Sequence, residues 1–210
     1  MSLLAKWGIG IAGVIGFVIV FLVIAFIIEV SPNQGKENKV KEQAKTYIAK
    51  TYTDEMNVYD TLYDNMGNHP EFEYAAKVRN EKTGITFLVY QDERTSNMED
   101  TYTSELMESK LSDRLEPHIE KMFEQVDKVR VIYEQTSASK EFNSKEDRPN
   151  IQESEATPTI NVVLNRESKE TDEKTLNSLV KIIKNDIGLK HAFVSIEYSD
   201  YPAKVLKKEY

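Results

Sequence analysis

The chain has 210 residues and carries 35 acidic against 27 basic side chains, a net charge of −8. It has no cysteine, so disulfides, thiolate nucleophiles and zinc–thiolate sites are excluded together. No basic face or basic helix offsets the acidity, which disfavours nucleic acid as a partner, because neutralising phosphates needs clustered Lys and Arg.

Residues 1–6 form a short tail. Residues 7–28 follow as WGIGIAGVIGFVIVFLVIAFII, with no charged or polar side chain. At about 1.5 Å per helical residue this run crosses the ~30 Å hydrocarbon core of a bilayer. It is longer than the apolar core of a cleaved signal peptide and lacks a small-residue cleavage pair at its exit, so the pattern predicts a permanent single-pass anchor. Lys6 lies directly against the span, which favours a cytoplasmic tail and a body outside the cell membrane. Lys36, Lys39, Lys41 and Lys45 beyond the span pull the other way under the positive-inside rule. Gly8, Ala12 and Gly16 recur every four residues, a spacing that lets two membrane helices approach closely and would suit a homodimer.

Residues 29–35 read as a juxtamembrane linker. Residues 36–53 then show helical spacing at Val40, Ala44, Tyr47, Ile48 and Thr51/Tyr52. Three strands are expected next: 56–63, then a run in which Phe72, Tyr74, Ala76 and Val78 alternate with Glu73, Ala75, Lys77 and Arg79, then Ile85, Phe87 and Val89. Leu88 and Tyr90 make the other face of the third strand apolar too, so it should be covered on both sides. Residues 80–84 have the composition of a hairpin loop. Ser96 and Glu99 suggest a capping box for a long helix over 99–126, with a kink or break at Pro117.

A fourth strand is expected at 129–133. Residues 136–158 are polar, with Pro149 and Pro158, and read as a loop. Ile160, Val162 and Leu164 resume as a strand. Thr171 should cap a helix with Leu176, Leu179, Val180, Ile183 and Ile187 inward and Gly188 as its stop, followed by a last strand at 193–198. The expected class is α+β: one transmembrane helix, then mainly antiparallel sheets with helices on one face, ordered α-β-β-β-α and β-loop-β-α-β, in a first domain at 36–127 and a second at 128–210.

Motifs for chemistry are weak. Ser137–Lys140 matches S-x-x-K and Lys82–Gly84 matches K-T-G, but their order is reversed from the β-lactamase signature and no S-D-N exists. His69, His118 and His191 do not pair at metal-ligand spacing. Asp64, Asn65 and Asn68 lack the order of a calcium loop. No catalytic residue, metal ligand or cofactor is therefore assigned. Tyrosine is abundant, at 11 residues. Tyr47, Tyr52, Tyr63, Tyr74 and Tyr90 could line a binding groove, since each offers an apolar face and a hydroxyl.

The runs AKTYI at 44–48 with Tyr52, YDN at 63–65, FEYAAK at 72–77, TGITFLVY at 83–90 and DTY at 100–102 resemble the YfjL-like group of membrane-anchored proteins from Bacillus-type bacteria. The resemblance implies a single-span, Gram-positive surface protein of unknown activity and transfers no catalytic residue. The leading expectation is a membrane-tethered, non-enzymatic binding domain at the outer face. An envelope hydrolase using carboxylates such as Asp92, Glu93, Asp100 and Glu116, or a cytoplasm-facing regulator, are the alternatives.

Overall fold

A computed structural model describes residues 19–23, 31–134, 150–199 and 204–210. Residues 19–23 are helical and exposed, and the rest of the apolar run, with Gly8, Ala12 and Gly16, lies outside the described residues. So does the S-x-x-K at 137–140. Among the described residues no helix is long and apolar enough to cross a membrane.

The first half is helix α1 (Gln34–Thr51) followed by strands β1 (Met56–Tyr63), β2 (Tyr74–Asn80), β3 (Thr86–Gln91) and β4 (Met98–Asp100). The four strands form an antiparallel meander in the order β1-β2-β3-β4. Helix α1 starts two residues before its expected position because the Asn33 side chain accepts from the Gly35 and Lys36 N–H groups and so caps it. Its buried Ala44 and Ile48 pack on Ala76 and Val78 of β2 and Phe87 and Val89 of β3. A smaller cluster of Phe72, Ala75 and Tyr90 lies on the opposite face. Phe72 thus departs from the expected alternation: it precedes β2 and joins Ala75, not Ala76. As expected, β3 is buried on both faces.

The capping box at Ser96 does not form. The Asp92 carboxylate accepts from the Arg94 and Thr95 N–H groups at 2.8 Å each and closes the turn, with Ser96 at φ +59°. That turn lays Met98–Asp100 back on β3 as a fourth strand. The long helix α2 therefore begins at Tyr102 and runs to Met122. It passes through Pro117 without breaking. Leu111 and Leu115 before the proline and Ile119 after it are wholly buried, which offsets the roughly 3 kcal/mol an internal proline costs.

The second half holds β5 (Val126–Ile132), β6 (Thr159–Leu164), α3 (Asp172–Ile182), β7 (Phe193–Tyr198) and β8 (Val205–Glu209). The sheet order is β5-β6-β7-β8, with β6 and β7 parallel and the outer pairs antiparallel. The parallel β6–β7 pair departs from the mainly antiparallel sheets that the sequence pattern predicts, and β8 follows the strand expected to be last. The added strand β8 was hidden by its lysines, which are common on edge strands because they discourage pairing with another chain. Helix α3 widens into a π turn over Ile183–Ile187 and ends at Gly188, φ +83°, as expected of a left-handed stop. Thr171 makes no side-chain cap. One core joins Met107, Leu111, Leu115 and Ile119 of α2, the inward residues of α3, and one face of β5–β7. The buried stripe of α2, placed with the first half by its sequence position, is thus part of the second core. Ile151, inside the polar stretch expected to be loop, is buried there too.

Candidate functional site

The five tyrosines do not converge on one groove. Tyr47 and Tyr52 sit at the C-terminal end of α1, and both hydroxyls donate to Asp100 Oδ2, at 2.7 and 2.8 Å. Burial, reinforced by that carboxylate, raises both phenols well above their ordinary range. The Tyr52 ring also packs edge-on against Phe87 and Tyr102. Tyr63 and Tyr74 stack at 4.7 Å at the other end of α1, where Tyr74 Oη accepts from the Asn33 N–H at 2.9 Å. Tyr90 is buried on the opposite sheet face against Phe72, with ring centroids 4.5 Å apart. Their hydroxyls and rings are largely spent on internal contacts.

Carboxylates were the alternative source of chemistry. Asp92 is held at about 2 by the Arg94 guanidinium and by N–H groups of its own turn. Asp64 turns back on its loop, accepting from the Met66 and His69 N–H groups. Among the described residues no group of three or more His, Cys, Asp and Glu is placed to hold a metal ion. Two unexpected acids emerge on α2. Burial raises Glu105 and lifts Glu108 to about 7, although Glu108 Oε1 accepts the Tyr133 N–H at 2.8 Å. Neither lines the clefts formed by the described residues at β1, at the end of α2 or on β6–β8.

Glu108 has a measurable consequence. Its folded pKa is raised, so the fold is most stable while the group is protonated in both states. Stability is expected to fall as pH rises from about 4.5 to about 7, while the unfolded chain ionises and the folded chain does not. Asp172, held at about 2, does not titrate in that window. Unfolding free energies from urea titrations at pH 5 and pH 8 should differ by about 1 kcal/mol less in Glu108→Gln than in the parent, after allowing for water reaching a half-exposed group.

The surface that sequence reasoning missed is the face of β5–β8 that the described residues leave uncovered. The strands are half-buried: Ile160, Val162, Val194 and Ile196 point to the helices, so Thr159, Asn161, Phe193, Ser195 and Glu197 point away. They border an open cleft of about 540 Å³ together with Lys207 and Glu209. Two large apolar side chains stand on this face, Phe193 at 44% and Ile132 at 51% exposure, with Thr159 between them in the register. Asn161 Nδ2 donates to Glu197 Oε1 at 2.7 Å, while Asn161 Oδ1 is buried with no hydrogen-bond partner among the described residues. The legible signal was Phe193, an apolar residue out of phase with Val194, Ile196 and Tyr198.

No protein-family model matches the chain. A search of curated proteins likewise finds no match. Among solved structures, the crystal structure of a DUF5037 family protein from Ruminococcus gnavus ATCC 29149 is similar at 13% identity, over 76% of this chain and 74% of that one, with a TM-score of 0.39.

Proposed function

We propose that this chain is a non-enzymatic binding protein, tethered by residues 7–28 to the cell membrane with its folded body outside, which receives a partner on the uncovered face of β5–β8. The observation that carries the reading is the combination on that face of half-exposed Phe193 and Ile132 with the polar Asn161–Glu197 pair bordering an open cleft. Apolar anchors around a few convergent polar groups are the usual make-up of a recognition surface. The resemblance of residues 44–102 to the YfjL-like group points to the same cell-surface setting.

A photo-reactive residue replacing Phe193 in living cells should give a discrete protein adduct, and the same residue at Glu81 should not. Equal, diffuse labelling at both positions would remove this face as the binding surface. Orientation is tested separately, by labelling Ser31→Cys with an impermeant maleimide in intact cells. Labelling only after lysis would favour the second reading, a cytoplasm-facing regulator, which the lysines at 36, 39, 41 and 45 support.

A further inference from the structure

We infer that the β1–β2 loop, with Met66 at its tip, rests on the surface of the membrane that anchors the chain. The inference rests on the tether proposed above and adds which end of the body meets lipid.

The apolar run ends at Ile28, and the cap of α1 is Asn33. Five residues reach no more than about 18 Å when fully extended. Whatever end of the body holds Asn33 is therefore held close to the bilayer. That end is fixed: the Asn33 N–H donates to Tyr74 Oη, and Lys36 pairs with Glu73 at 2.7 Å. Tyr74 opens β2 and lies opposite Tyr63, the last residue of β1, in the ladder. The loop joining those two strands consequently extends from the anchored end of the sheet. The 80–84 hairpin lies at the far end, about 25 Å away along eight-residue β1.

The loop is shaped for contact. Asp64 ties it down through the Met66 and His69 N–H groups, and Gly67 takes φ +71° at the tip. His69 stacks on Phe72 at 4.8 Å, pinning the return limb. Within this rigid turn Met66 is 82% exposed, the highest exposure of any large apolar side chain among the described residues. From Asn65 to Pro70 the loop carries no carboxylate and no lysine or arginine. Of the charges flanking the tip, Glu73 pairs with Lys36 and Asp92 with Arg94, while Glu71 follows Pro70 on the return limb. An uncharged tip with a flexible apolar side chain, backed by the stacked Tyr63 and Tyr74, has the chemistry of the headgroup–acyl boundary, where amphipathic rings also collect.

The absence of cysteine makes the test direct. Full-length Met66→Cys and Glu81→Cys proteins, each carrying an environment-sensitive fluorophore, would be reconstituted into phosphatidylcholine vesicles with and without spin-labelled lipid. Co-flotation with the vesicles reports the tether, and quenching by spin-labelled lipid reports contact. The expected result is co-flotation of both proteins, with quenching several-fold stronger at position 66 than at 81. Co-flotation with equal quenching would overturn the loop contact and leave the tether standing. Failure to float would overturn both.

Discussion

Replacing Asp172 with asparagine should destabilise the chain by about 3–5 kcal/mol, measured as the urea midpoint of the full-length protein followed by near-UV tyrosine dichroism. Asp172 opens α3 but is buried. Its two oxygens accept a fork from Arg166 at 2.8 and 2.9 Å, the Lys169 N–H at 2.8 Å and the Tyr198 hydroxyl at 2.9 Å. Burial alone would raise this acid. The guanidinium, the backbone donor and the phenol outweigh it and hold the carboxyl at about 2. Asparagine keeps the shape but leaves the Arg166 guanidinium buried beside a neutral group. The paired replacement Arg166→Met with Asp172→Leu should cost far less than the sum of its single changes, because it removes both charges together. The depressed pKa sets the sign with pH. The stabilisation is fully present above the unfolded value near 4 and is lost as pH falls toward 2. A parent protein as sensitive to pH 3 as Asp172→Asn would contradict this account.

Leu111→Ala should cost about 2–5 kcal/mol, and the loss should be local. Leu111 is wholly buried at the middle of α2 and packs into the core of the second sheet. Amide exchange should therefore accelerate in β6 and β7 well before β2 and β3. Equal acceleration in both sheets would mean that the two cores unfold as one unit, and that the boundary expected near residue 128 has no energetic meaning.

Much of this architecture could be read from local pattern. The lengths of α1, β1 and β3, the hairpin at 80–84 and the inward stripe of α3 all follow from spacing and turn residues. The misses have distinct physical causes. Strand β4 is three residues long and shows no periodicity; its existence depends on the Asp92 turn. The parallel pairing of β6 and β7 cannot be read from either strand, because alternation is the same in both orientations. Asp172 looks like an ordinary first-turn acid facing the positive end of a helix, and only the fold brings Tyr198 to it. The tyrosines were conspicuous one by one, but Asp100, which gathers two of them, lies 53 and 48 residues away in sequence. Phe193 and Ile132 passed as strand residues until the uncovered face set them in one row.

The two sheets differ in how far apart in the chain their neighbours lie. Each strand of the first pairs with the next one made, so that half can close as it emerges from the ribosome or a translocon. The second sheet joins β5 to β6 across residues 133–158, and its edge is strand β8, close to Tyr210. Helix α2 is made between these two programmes, and beyond β5 its oily stripe waits for β6, α3 and β7, which arrive tens of residues later. A nascent polypeptide halted anywhere in that interval would present a finished front half trailing an uncovered hydrophobic helix, the form most in need of a chaperone.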